Sequence, residues 1–316
     1  MRIAERVCSL AEQQNNPALI IGAYHISAAT LYHLGDFQAA REYAMRGVQI
    51  WRSGAAASPV EDVETAATCC LCYDAVLDWH FGEIASCQAK IAEAIALAKK
   101  LNDMHGLAVA QCYAALLAHH ERNPAEVERF ASDLIELSTH QNFPYWLVVG
   151  SIFRGWARSA SGNTAEGIPW IEQGIKDFRA TGAIIDLPYF LALKAEALHL
   201  ANRTSEALEA ITEAQAIVER SEGRWWSAEL HRLRGVFLTA TGAEEKEIEA
   251  SFCAAISTAR EQKSVSLLKR AKATYAENRV QKAGKGFRLP LCYLESAKKS
   301  GVKPPCALAP SFVVVT

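Results

Sequence analysis

One arrangement recurs along this chain at a nearly fixed interval. The segment "LYHLGDFQAAREYAMRGV" (Leu31 to Val48) lies over "LDWHFGEIASCQAKIAEAI" (Leu77 to Ile95), "LAHHERNPAEVERFASDLI" (Leu117 to Ile135), "ARSASGNTAEGIPWIEQGI" (Ala157 to Ile175) and "LHLANRTSEALEAITEAQA" (Leu198 to Ala216). Each copy is an apolar helical run, a small or polar break, and a second helical run. A sixth copy, "FLTATGAEEKEIEASFCAAI" (Phe237 to Ile256), is less regular and carries one additional residue. The breaks at Gly35, Gly82, Arg122, Gly162, Asn202 and Gly242 stand 47 and then, four times, 40 residues apart. The wider first interval holds "RSGAAASPVED", Arg52 to Asp62, read as a long loop. Such a period over most of a chain marks a solenoid, in which each hairpin has an apolar face that only its neighbour can bury.

Within the second runs, residues at offsets of four and three share one helix face. Ala40, Ala44 and Gly47 answer to Cys87, Ile91 and Ala94, to Val127, Ala131 and Leu134, to Gly167, Ile171 and Gly174, and to Ala207, Ile211 and Ala214. This register decides how "SASGNTAEG" (Ser159 to Gly167) is read. A phosphate-gripping loop would end in Lys followed by Ser or Thr, and no such Lys is present. Gly162 is therefore expected in an inter-helix turn and Gly167 at a close helix contact.

The expected fold is all-α: a right-handed superhelical solenoid of antiparallel helical hairpins. The repeat domain is placed at residues 1–282, with turns near 35, 82, 122, 162, 202 and 242, and an irregular tail at 283–316. No segment alternates convincingly as a strand, apart from the closing "FVVVT".

The repeats resemble the tetratricopeptide repeat, whose Gly-Asp-aromatic turn and small residues "LGDFQAA" (Leu34 to Ala40) reproduces. Their period exceeds the usual ~34 residues, as in longer-helix bacterial signalling varieties. From Asn16 to the closing "GFRLPL" (Gly286 to Leu291), the chain also resembles the C-terminal repeat region of large bacterial proteins with nucleotide cyclase and predicted ATPase domains. Neither catalytic domain is present. The resemblance implies a detached or fragmentary sensor region acting with a cyclase or ATPase partner. The opening "MRIAERVCSLAEQQNNP" reads as the second helix of a hairpin whose first helix is missing, so an exposed repeat end could support a homodimer.

Composition narrows the compartment. Nine cysteines, an odd number, lie mostly among Ala and Leu and read as small buried hydrophobes in a reducing compartment. There is no signal-peptide-like apolar stretch and no run of some 18 apolar residues, so a cytoplasmic chain without a membrane partner is expected. Net charge is −2, but Lys263 to Arg288 holds eight basic residues against Glu277. That run reads as a solvent-facing helix, and nucleic acid is not the expected partner.

No constellation supports catalysis. "HHERN" (His119 to Asn123) lacks a second His four residues after the first, and Cys69, Cys70 and Cys72 lack a second ligand pair. No enzyme activity, cofactor or metal is expected.

In tetratricopeptide arrays the first helix of each hairpin lines the concave face. Counting back three residues from each break gives Tyr32, Trp79, His119, Ser159, His199 and Thr239; counting back two gives His33, His80 and His120 in the first three copies. Trp156, Glu196 and Arg232 lie in the same inward register. The expected site is a concave protein- or peptide-binding groove formed by Tyr32, His33, Trp79, His80, His119, His120, Trp156, His199 and Arg232. Flat rings favour a partner with apolar anchors, and Arg232 alone makes no carboxylate clamp. The chain is thus read as a noncatalytic scaffold for a protein or peptide. Of Trp225 and Trp226, one is expected in the core and the other over the hairpin junction or exposed.

Overall fold

The computed structural model describes residues 2–54 and 63–283, so most of the tail expected at 283–316 and much of the first long loop lie outside the described residues. Two compact units divide the chain, 1–274 and 275–316. Among the described residues there are fourteen helices and no strand. Helix α1 (Arg2–Gln14) precedes the hairpins α2 (Pro17–Leu34) with α3 (Phe37–Arg52), α4 (Val63–Phe81) with α5 (Ile84–Leu101), and α6 (Met104–His120) with α7 (Pro124–Gln141). There follow α8 (Pro144–Ala160) with α9 (Thr164–Ala180), α10 (Leu187–Leu200) with α11 (Thr204–Ser221), α12 (Ser227–Thr241) with α13 (Glu245–Glu261), and α14 (Val265–Ala283). This is the helical-repeat solenoid architecture of tetratricopeptide-like proteins.

The repeat period has a backbone cause. All six break residues adopt positive φ: Gly35 83°, Gly82 82°, Arg122 58°, Gly162 97°, Asn202 61° and Gly242 72°. A left-handed residue frees the next N–H to bond back to the helix end, which stops one helix before the next begins. The following helices start on side-chain caps: Asp36 accepts from Ala39 N, Asn123 from Glu126 N and Asn163 from Glu166 N. Arg122 and Asn202 hold this conformation without glycine's freedom; in the L-residue αL region that costs about 1–2 kcal/mol.

The small-residue faces pack as their spacing dictates. Ala40, Ala44, Cys87, Ile91, Ala94, Val127, Ala131, Leu134, Ile171, Ala207, Ile211 and Ala214 are all buried, as are Gly47, Gly167 and Gly174. The first helices differ: α6 and α10 bury residues on every side, because α4, α7 and α8 surround the one and α8, α9, α11 and α12 the other. Helix α1 packs on α2 through Cys8, Ala11, Ala23 and Tyr24, and leaves Leu10 half exposed.

In the α8–α9 hairpin backbone lies directly against backbone. A Cβ on Gly155 would stand 2.7 Å from the Gly167 carbonyl, and one on Gly167 would stand 2.9 Å from Ser159 N. Backbone cannot swing aside as a side chain can. Gly167→Ala should therefore destabilise the protein by about 1–3 kcal/mol in urea unfolding. Gly22→Ala, in α2 with nothing within 4 Å, should stabilise it by about 1 kcal/mol. Equal effects of the two substitutions would contradict this packing.

Candidate functional site

The inward residues of the first helices do not line an open groove; they meet residues from later in the stack. Within residues 1–274, the turn before α12 lies against the end of α2: Arg224 N and Trp225 N donate to the His33 carbonyl at 2.8 and 3.2 Å. The α13–α14 turn completes the seam. Gln262 Nε2 donates to the Arg224 carbonyl at 2.7 Å, Ser264 Oγ pairs with His80 Nδ1 at 2.9 Å, and Lys263 Nζ reaches Gln38 Oε1. Chain segments more than 180 residues apart are thereby joined.

The seam encloses a continuous aromatic interior. Tyr32 lies against the rings of Phe37, Tyr73, His80 and Trp225, at centroid distances of 5.2 to 5.9 Å. Phe37 stacks on His80 at 3.8 Å, and Trp79 sits 4.4 Å from His120. His120 stacks in turn on Trp226 at 4.6 Å, with 11° between the rings. His119 meets Trp156 edge-on at 4.5 Å, and its Nδ1 pairs with Tyr189 Oη at 2.8 Å. Offset and edge-on contacts of this kind stabilise beyond their buried area.

Seven of the expected site residues are gathered here: Tyr32, Trp79, His80, His119, His120, Trp156 and Arg232, all buried. They stand apart from solvent because opposite sides of the stack cover them. His33 lies at the edge, its Nε2 3.4 Å from Asp186. His199 is outside the cluster; it bonds Thr204 Oγ1 at 3.0 Å and lies against Phe237. Both Trp225 and Trp226 are buried, which corrects the expectation that one of them covers a junction or faces solvent. The reason is the seam, which takes both indoles inward between Tyr32, Tyr189 and His120.

Beside the rings is an ionic centre that register reasoning did not assemble. Glu229 receives Arg232 Nη2 at 2.7 Å, Arg122 Nη2 at 3.0 Å and Arg270 Nη1 at 3.3 Å. Glu196 Oε2 accepts from Trp156 Nε1 at 2.9 Å and from Arg122. Arg270 also donates to the His120 carbonyl. Burial pushes the Glu229 carboxyl up, but Arg232, Arg270 and Arg122 outweigh it and hold the group at about 2. The same opposition, led by Arg122 against burial, holds Glu196 well below the usual carboxylate range. Both are ionised at neutral pH.

The imidazoles are held neutral. Burial lowers His80 to about 3 and, with the neighbouring His119 and His80, takes His120 well below its ordinary value. His119 Nε2 stands 3.7 Å from Glu196 Oε2, too far for a hydrogen bond. Several polar atoms here have no protein hydrogen-bond partner: Tyr32 Oη, both ring nitrogens of His120, Trp226 Nε1 and Glu196 Oε1. Each such buried group carries a penalty of about 1–3 kcal/mol until it is paired.

Other candidate chemistry is not assembled. Cys69, Cys70 and Cys72 are buried, and burial raises their thiols, Cys69 to about 12. Among the described residues, no group of three or more His, Cys, Asp or Glu is placed to hold a metal ion. No described helix is long and apolar enough to cross a membrane.

No protein-family profile matches the chain. An uncharacterized protein of Rhizobium meliloti strain 1021 is 23% identical over 276 residues, which are 87% of this chain and 27% of that protein. The chain thus spans about a quarter of that relative's length. Among solved structures, the fold is similar to the Rap conjugation gene regulator of plasmid pLS20 in complex with the Phr* peptide. The TM-score is 0.59 at 11% identity, covering 86% of this chain and 78% of that one. It is also similar to Bacillus thuringiensis PlcR in complex with the peptide PapR7 and DNA, with a TM-score of 0.54 at 16% identity over 73% and 84% of the two chains. Aspartyl phosphate phosphatase F of Bacillus subtilis matches with a TM-score of 0.51 at 10% identity, over 87% and 73%. These likenesses establish the helical-repeat fold.

Proposed function

We propose that the chain is a noncatalytic peptide-binding regulator whose ligand occupies the interior face of the first helices. The observation that carries this reading is the convergence of Tyr32, Trp79, His120, Trp156 and Trp226 around polar atoms that have no protein partner. An indole N–H, a phenol and the one N–H of a neutral imidazole are donors. A peptide backbone supplies acceptors at regular spacing, and its apolar side chains find flat rings to rest on. Two proteins of similar fold, PlcR and the pLS20 Rap, are described with bound peptides.

Entry requires the seam to part where Arg224, Trp225, Gln262 and Ser264 hold the ends of α2 and α4. Parting it breaks those turn hydrogen bonds and separates the Trp225 and Trp226 rings from Tyr32 and His120, while each hairpin stays packed along its length. The test is retention of a random heptapeptide pool on the immobilised full chain, with hydrogen exchange on the complex. Retained peptides should alter exchange in the last turns of α2, α4 and α6 and at residues 224–226. No retention, or changes confined to the outer helices α3, α5 and α7, would overturn the reading.

A second reading draws on the share of the long Rhizobium relative that this chain matches. There the matched segment is one portion of a larger protein, and the sequence resemblance implies a nucleotide cyclase or ATPase as partner. Co-purification with such an enzyme and a change in its turnover would support it; an unchanged rate would count against it.

A further inference from the structure

A cation recurs on the side of the first helices that meets the preceding second helix. Eight residues before the breaks at Gly162, Asn202 and Gly242 stand Arg154, Lys194 and Arg234. Arg154 on α8 reaches back to Glu128 of α7 at 3.0 Å, and Lys194 on α10 reaches back to Glu172 of α9 at 2.9 Å. Arg234 on α12 would by the same geometry find an acid on α11, but Leu208 and Thr212 stand there at the positions of Glu128 and Glu172. Among the described residues Arg234 forms no ion pair; it donates to Ser251 Oγ of α13 at 3.0 Å, a contact that engages Nη1 alone. A cleft of about 340 Å³ opens at this point between α11 and α13, with α12 as its floor. Small side chains, Ala250, Ser251 and Ala254, line its α13 wall, whereas the Trp170 ring of α9 covers Arg154 at 4.8 Å in the earlier hairpin.

The floor of this cleft is polar. Ser227, Leu230, His231 and Arg234 share the face of α12 turned away from Glu229 and Arg232, so the cleft is separate from the aromatic interior. Ser227 is 8% exposed, and its hydroxyl has no protein hydrogen-bond partner. The Gln215 amide donates to His231 Nδ1 at 3.1 Å. Burial, with Arg234 adding to it, lowers the pKa of His231, so the ring is neutral and keeps its one proton on Nε2. We infer that the cleft binds a small organic oxyanion, a carboxylate or a phosphate monoester on a short apolar body, with Arg234 as its counter-ion. The guanidinium offers paired donors in one plane, and the Ser227 hydroxyl and His231 Nε2 supply two more. Val218 and Leu230 give the apolar body a surface to rest on, and Glu219, exposed on the α11 side, disfavours a second negative charge there. In the two earlier hairpins the protein provides the anion itself; in this one the ligand does.

The experiment titrates the full chain with valerate, propyl phosphate and the neutral pentanamide, read by saturation-transfer NMR. One or both anions should bind about tenfold more tightly than pentanamide, and the tighter of the two identifies the oxyanion that the site takes. Arg234→Gln removes the counter-ion and should weaken binding of that anion about tenfold. Thr212→Glu, at an exposed position of α11, restores the acid that Glu172 supplies to Lys194 and should weaken binding as much. Its urea midpoint should match that of the unsubstituted chain, so the loss cannot come from misfolding. Arg154→Gln, which removes a cation already paired with Glu128, should leave binding unchanged. Equal affinity for pentanamide, no binding of either anion, unaltered binding by R234Q or T212E, or equal weakening by R154Q would overturn the site. Each of those results would leave the peptide-binding reading standing, because that reading concerns the opposite face of α12.

Discussion

Trp226→Ala should lower the stability of the protein by about 4 kcal/mol, within the range for a fully buried tryptophan replaced by alanine. Trp226 is 1% exposed, stacked on His120 at 4.6 Å, edge-on to Tyr189 at 5.2 Å and 5.3 Å from Trp225. Removing the indole opens a cavity where the two ends of the stack meet, so neighbouring rings on both sides lose contacts together. For a chain of this length the thermal midpoint should fall by about 6 °C, read by calorimetry. Trp226→Phe keeps part of the stack and should lose about half as much. Trp170, half buried with Arg154 4.8 Å from its ring, is the comparison: its alanine variant should lose about 1 kcal/mol. A loss below about 1 kcal/mol at Trp226 would mean that the interior is not packed as described.

Acid should unfold the protein steeply, beginning below pH 6.5. In the unfolded chain a histidine binds its proton near 6.5. In the folded chain burial lowers His25 to about 4 and His80 to about 3, and takes His120 well below its ordinary value. Between these limits the unfolded state holds more protons, so this stabilisation is full above pH 6.5 and is lost as pH falls toward the folded values. Each such site contributes about 1.4 kcal/mol per pH unit, and three give about 4 kcal/mol per unit near pH 5. His33 runs the other way. Burial lowers it but Asp186 outweighs burial, so its contribution is complete below pH 6.5 and disappears at higher pH; it adds no slope near pH 5. The carboxylates Glu196 and Glu229 add their own loss only below about 4.5. Urea midpoints from pH 7.5 to 5 should fall accordingly, and His80→Asn should reduce the slope by one site. Midpoints independent of pH over that range would refute the account.

How far the molecule could be read from its sequence follows from the range of each interaction. The hairpins were legible because Gly35, Gly82 and Gly162 mark left-handed turns and because Ala40, Ala44 and their equivalents repeat at helical spacing; both signals are local. The inward identity of Tyr32, Trp79, His119 and Trp156 was legible for the same reason, since register fixes which face a residue takes. Their burial was not. It depends on Arg224, Trp225 and Ser264 meeting α2 and α4 across nearly two hundred residues, and nothing in the neighbourhood of either segment records that meeting. The ionic centre was missed through two reasonable readings. Arg122 occupied a turn position otherwise held by glycine or asparagine, and Arg270 belonged to a basic run that looks solvated on paper. Only the closure puts both beside Glu229.

That closure has a consequence for how the molecule comes apart. A linear array of hairpins frays from its ends, because a terminal unit has one neighbour and the interior units have two. Here the α2–α3 hairpin and the turns around residues 224 and 264 are each other's second neighbour. The units at both extremes of the stack are thereby coupled, and local opening at one edge withdraws support from the other. Residues 1–274 should melt as one cooperative body, with the seam as the element whose release is felt at both ends.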